Sequence, residues 1–221
     1  MGDWLTYSAA DFLMFAPHTY YRLFELYNAA IWPAQFGAVA VGAAIFALLL
    51  HRRAERSRAV PAILAACWLW VAWAFLLTRY DTINWAAKYF AAAFVVQALL
   101  LIAVSLRRRV HLAPSSNAKS RFGLALFVFA LAVQPLIGPL LLDRPWVQAE
   151  IFALAPDPTA VATLGVLLLS VRGRAAWLLM PLPLTWCALS AVTLWTMGSP
   201  EAWVMAAAPT ATLACIVLFL R

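Results

Sequence analysis

The stretch WAAKYFAAAFVVQALLLIAVSLRRR, Trp85 to Arg109, decides the fold class. After Lys88 it carries no charge until Arg107-Arg108-Arg109, and Gln97 is its one amide. A helix over Trp85–Leu106, at about 1.5 Å per residue, reaches about 33 Å and crosses about 30 Å of hydrocarbon. The basic triplet that stops it is the mark of a cytoplasmic membrane face.

Read outward from there, the pattern repeats. Twelve of the 16 Lys and Arg residues fall in four short segments: Arg52, Arg53, Arg56, Arg58; Arg107, Arg108, Arg109, Lys119, Arg121; Arg172, Arg174; and Arg221. Eight of the nine acids fall at the opposite ends of the apolar runs, and only Glu55 joins the basic side. Such sorting predicts a multi-pass inner (plasma) membrane protein with its N-terminus outside and its C-terminus cytoplasmic. Composition agrees. The chain is 66% hydrophobic and 11% charged, against roughly 45–50% and roughly 25% in soluble domains. In a soluble protein the net charge of +7 would suggest nucleic acid. Here it is confined to loops at one face, so the expected surface partner is the lipid bilayer, and no nucleic acid is expected. No basic n-region with a following apolar core marks a cleaved signal peptide.

The expected architecture is all-α, with about seven spans. They cover Pro33–Leu50, Val60–Leu77, Trp85–Leu106, Phe122–Leu142, a short fifth at Thr159–Val171, Ala175–Met197 and Ala202–Leu220. Residues 33–221 form this transmembrane domain, and residues 1–32 form a short amphipathic helix pair on the outer face. In that pair Ser8-Ala9-Ala10-Asp11 reads as a capping box and Pro17 starts the second helix. The fifth span is too short to cross. It reads as a short outer helix at Ile151–Leu154, a rigid Pro156-Asp157-Pro158 break and a half-helix. Spans one to three and five to seven share Trp, Cys and basic-turn placement, which suggests a three-plus-one-plus-three repeat.

Polar groups inside hydrocarbon need a partner or a cavity. Lys88, Gln97 and Gln134 qualify, with Gln35 near the outer end of span one. Pairing of Lys88 with Asp81, and amide bonds between helices, account for them without any ligand. The outer side also collects Glu25, Asn28, Arg79, Asn84, Asp143, Arg144, Glu150 and Asp157, interleaved with aromatics such as Tyr27, Trp32 and Trp146. An aromatic belt over solvated loops is the plain reading. The sharper one is an outward-facing pocket at the break, where the half-helix start near Thr159 offers free N–H groups. Asp157 as that helix's cap would explain itself structurally. Trp68, Trp70, Trp73 and Trp186 lie within spans, where each indole N–H wants an acceptor.

Familiar chemistries are absent from the sequence. Span seven has no lysine for a retinal Schiff base. His18, His51 and His111 sit at interfaces, so paired-His haem ligation has no basis. Cys67, Cys187 and Cys215 lie singly in apolar runs, which reads as packing, with a thiol trio for a soft metal as the lesser alternative. No HExxH, GxSxG, Walker A or Cys-x-x-Cys pattern occurs. An enzyme is not expected, nor any cofactor or metal.

Leu23-Phe24-Glu25-Leu26-Tyr27-Asn28-Ala29-Ala30-Ile31-Trp32-Pro33-Ala34-Gln35 resembles the signature of a bacterial family of small polytopic membrane proteins, a domain of unknown function. Pro156-Asp157-Pro158-Thr159 resembles its second hallmark. The resemblance covers nearly the whole chain, implies an inner-membrane protein and supplies no activity. It directs attention to Tyr27-Asn28 and Trp32-Pro33-Ala34-Gln35.

The expected function is a small transporter or channel-like protein for an unknown small molecule or ion. Its path would be lined by Glu25, Asn28, Trp32, Gln35, Asp81, Lys88, Gln97, Gln134, Asp157 and Thr159. Two alternatives stand beside it. One is a non-catalytic subunit of a membrane complex, with a membrane-protein partner or as a homo-oligomer. The other is an outer-leaflet ligand sensor.

Overall fold

The computed structural model describes residues 15–50, 58–106, 117–170 and 178–219, and every regular element among them is a helix. Helix α1 (Pro17–Ala30) opens with proline in its first turn, where the missing N–H costs nothing. It meets α2 (Ala34–Leu50) at 91°, across the Trp32–Pro33 turn. Helix α3 (Ala59–Thr82) is α-helical to Trp70 and π-helical over Val71–Leu77. Helix α4 covers Ala87–Ser105. Helix α5 (Ala118–Leu141) starts at Asn117, whose side chain accepts from the Ser120 N–H at 2.9 Å. It widens to a π turn over Phe129–Val133, just before Gln134-Pro135. Pro135 offers no N–H and its ring crowds the preceding turn, which accounts for the break in the ladder. Helices α6 (Pro156–Ser170), α7 (Pro181–Thr196) and α8 (Ala202–Phe219) complete the bundle.

Among the described residues three helices, α3, α4 and α5, are long and apolar enough to cross a membrane, and the bent pair α1–α2 would make a fourth if it counts as one span. Helices α6 and α8 are apolar but shorter. Their surroundings explain α6. Every residue from Phe152 to Leu169 is buried, with α3, α5, α7 and α8 packed around them. A helix encased by others takes its length from them and not from the bilayer. The closest approach is at Gly123 of α5 and Gly165 of α6. A Cβ on either would lie 2.6–2.7 Å from the other's carbonyl oxygen, so only glycine lets these backbones meet.

The expected break before α6 is placed differently. Pro156 and Pro158 do not interrupt a helix; they open one, in the first turn where proline fits. Ile151–Leu154, expected as a short helix, is a turn. Ala153 takes a left-handed φ of 68°, and the Ala155 N–H bonds Ile151 O at 2.8 Å. The capping box at Ser8–Asp11, and the basic residues at 51–57, 107–116, 171–177 and 220–221, lie outside the described residues.

Helix α1 lies across one end of the bundle. It buries Tyr20, Leu23, Phe24, Tyr27 and Asn28. Phe24 stacks on Phe75 of α3, with centroids 4.8 Å apart. The opposite face of many helices stays apolar and open: Phe36, Trp73, Tyr89, Val192, Trp195 and Trp203 are each at least 60% exposed. Glu25, Arg144, Glu150, Asp157 and Glu201 gather at the α1 end. Arg58, Lys119 and Arg121 belong to the other.

Candidate functional site

The site begins where α5 stops. Asp143 adopts φ 50°, the left-handed turn that Asp tolerates at a helix end. The chain then doubles back, and the Arg144 N–H bonds Gly138 O at 3.2 Å. The guanidinium folds over Gly138, where an added Cβ would lie 2.7 Å from its terminal nitrogen. It forms an ion pair with Glu201 at the start of α8, and both side chains are about 15% exposed. It also stacks over the Tyr21 ring, 4.1 Å from the centroid. Arg144 Nε and Nη1 have no hydrogen-bond acceptor, so the ring face is their neighbour.

One turn into the bundle, α6 presents Asp157. Its carboxylate does not cap its own helix. It turns to α7, accepting from Trp186 Nε1 at 2.8 Å and Ser190 Oγ at 2.5 Å. Thr159 ties down the turn instead: its hydroxyl accepts from the Ala153 N–H at 3.0 Å and donates to Ala155 O at 2.7 Å. Three of the four intrahelical tryptophans find acceptors, and Trp73 is 60% exposed. Trp68 donates to Thr163 Oγ1 at 2.9 Å, Trp70 to Tyr27 Oη at 3.0 Å and Trp186 to Asp157.

Between these groups lies a cavity of about 10 Å³, lined by Gln134, Ile137, Glu150, Asp157, Leu194, Glu201, Val204 and Met205. That is room for about one water molecule. Two lining atoms have no partner: Glu150 Oε2 and Gln134 Oε1. Gln134 is 9% exposed, and its amide nitrogen reaches only Met205 sulfur, at 3.7 Å. With the nitrogen spent on that sulfur, its carbonyl oxygen is left without a donor. Three carboxylates and one guanidinium meet here. Glu150, on the segment between α5 and α6, is pushed well above the usual carboxyl range. Burial is the main cause, the negative fields of Asp157 and Glu201 add to it, and Arg144 opposes it.

The residues expected to line one path separate into three groups. Gln134 and Asp157 line the cavity. Asn28, Gln35 and Glu25 form a clasp. Asn28 donates to Val147 O (2.8 Å) and Ala149 O (3.0 Å), Gln35 donates to Asn28 O (2.8 Å), and Gln148 reaches Glu25 at 3.5 Å. This clasp holds the segment that carries Glu150. The others stand apart. Lys88 and Asp81 pair at 3.5 Å on the surface. Gln97 donates to Leu179 O at 3.1 Å, away from the cavity. Trp32 is 64% exposed against Phe36, and Thr159 sits beneath the α6 turn. The three cysteines are buried and unpaired. No group of three or more His, Cys, Asp or Glu among the described residues has a metal-holding arrangement.

Glu150, Glu201, Arg144 and Ser190 are the site residues that sequence reasoning left out of the path. Arg144 carried a signal: it is a basic residue among the acids. Trp186 did too, as an indole mid-helix. Nothing in the sequence shows that positions 134, 150, 157 and 201 converge.

No curated protein and no solved structure matches this chain. A family model does match, over residues 17–221, and on it the chain belongs to DUF6064, a family of unknown function.

Proposed function

We propose that this is a small membrane transporter, with the cavity between α5, α6 and α8 as the place where its ion binds. In this reading α2 to α8 pass seven times through the bacterial inner membrane. The N-terminus is outside, and the acidic end with α1 faces the periplasm. The packing of sequence neighbours, α3 on α4, α6 on α7 and α7 on α8, supports it. The exposed apolar faces support it too, because a water-soluble chain of this size would not leave so many Trp and Phe side chains open.

One observation carries the functional reading. Three carboxylates, Asp157 fully buried and Glu150 and Glu201 half-buried, line a void at the end of an encased helix, with the Arg144 guanidinium beside them. Burying such groups is costly unless they are used. The test is charge displacement in proteoliposomes on a solid-supported membrane. A jump in proton or sodium concentration is expected to move charge in the wild type. Glu150→Gln and Asp157→Asn, inserted to the same level, are expected to abolish it. A wild type as silent as empty liposomes under both jumps would end the transport reading.

A second reading has its own observation. An open apolar groove of about 480 Å³ runs between α5 and α8, lined by Phe122, Phe129, Trp203 and small residues such as Ala207 and Ala211. It suits a non-catalytic subunit that packs a partner helix there. Stoichiometric co-purification of a second membrane protein, lost on Ala207→Trp, would favour it.

A further inference from the structure

We infer that the ion taken by this cavity is a proton, carried on the Glu150 carboxyl and shared with Gln134 Oε1 across the void. This rests on the proposed transport site and names its ion.

Charge and hydrogen bonding converge on it. The Arg144 guanidinium pairs through Nη2 with Glu201 and lies over the Tyr21 ring, with no hydrogen bond to Glu150. The Asp157 carboxylate has two donors of its own, from Trp186 and Ser190. That leaves Glu150 without a cation of its own, and its Oε2 without a donor. A lone ionised carboxylate in such a place is expensive, and taking up a proton removes the cost. The second orphan is also an acceptor: Gln134 Oε1, on a residue more than nine-tenths buried that lines the same void. Since both residues line the same void, with room for about one water, a proton on Glu150 relayed through that water would give both atoms a partner. The three carboxylates line the void without a metal-holding arrangement among the described residues, and the sodium arm of the test below separates an alkali cation from a proton.

The groups that face Glu150 come from four elements. They are Asp157 on α6, Glu201 at the start of α8, Arg144 at the end of α5, and Tyr20 and Tyr21 on α1. The acids favour the protonated form and Arg144 disfavours it. Breaking the Arg144–Glu201 pair would turn the guanidinium toward Glu150 and promote proton release, which makes the pair the natural control point.

Infrared difference spectroscopy on the purified full chain in lipid tests this without any transported substrate. At neutral pH the wild type is expected to show the carbonyl stretch of a protonated carboxylic acid. The band should disappear as pH rises, be absent from Glu150→Gln and persist in Asp157→Asn. Replacing choline chloride by sodium chloride at fixed pH should leave it unchanged. Gln134→Leu should keep the band but move it, because its carboxyl partner is gone; this holds even if Glu150→Gln does not fold. The inference is overturned if no wild-type band exists, if Asp157→Asn removes it, or if sodium displaces it. A band that behaves as expected, with no charge displacement on a pH jump, would keep the proton site and end the transport reading. Charge displacement without the band would do the reverse.

Discussion

Arg144 and Asp157 hold their ends of the cavity by different means, and substitution separates them. Arg144→Ala leaves Glu201 buried without its cation, and stranding one partner of such a pair costs about 3–5 kcal/mol. Arg144→Lys is expected to recover only part of this, because an ammonium cannot lie flat over Tyr21 while it pairs. Denaturant or thermal unfolding in detergent reads both. Ser190→Ala removes one donor from the Asp157 carboxylate and should cost about 1.5–3 kcal/mol, the usual range for a bond to a charged acceptor. Glu150 reports through pH. Its carboxyl is raised in the fold above its ordinary value near 4.5. Between those two values the folded protein holds a proton that the unfolded chain has released, so stability falls as pH rises through that window. Glu150→Gln mimics the protonated form. It is expected to flatten this dependence and to be no less stable than wild type at neutral pH. A steeper decline in the variant would contradict the burial argument.

Helices α5 and α6 meet through glycines, so the element scale has a sharp test. Gly165→Val would drive side-chain atoms into the Gly123 carbonyl and the Phe127 backbone. Overpacking of this kind costs about 1–3 kcal/mol, and since α6 is surrounded, the strain should reach α7 and the Asp157 contacts. Faster proteolysis of detergent-purified protein, with intact synthesis, is the expected outcome. The same pair of helices shows where sequence reading ran out. The extents of α2, α4 and α8 were legible to within a few residues, because hydropathy and flanking charge set them. Pro17 as the start of α1 was legible for the same local reason. The role of α6 was not. Thirteen apolar residues after Asp157 look like a deficient span when length is judged against a bilayer, and only the neighbours reveal that it is a core. Asp157 was expected to cap the start of its own helix. Its carboxylate faces Trp186 and Ser190, 29 and 33 residues away, while Thr159 does the local work. Gln97, equally polar and equally buried, proved to be a tie to Leu179. Depth in an apolar run does not tell a cavity from a hydrogen bond.

At the scale of the whole molecule, the account rests on a bundle that sits in a membrane with its acidic cavity toward the outside. The two ends are far enough apart to be told apart chemically. Asn117 starts α5 at the basic end, and Ser199 precedes Glu201 near Arg144 and Tyr21. The helix between them, at about 1.5 Å per residue over 24 residues, places the ends about 36 Å apart. In a chain whose cysteines at 67, 187 and 215 are replaced by alanine, Ser199→Cys or Asn117→Cys supplies a single thiol. A membrane-impermeant maleimide applied to intact spheroplasts is expected to label Ser199→Cys directly, and Asn117→Cys only after permeabilisation. The reverse order of labelling, or a chain that stays in solution without detergent, would contradict the account.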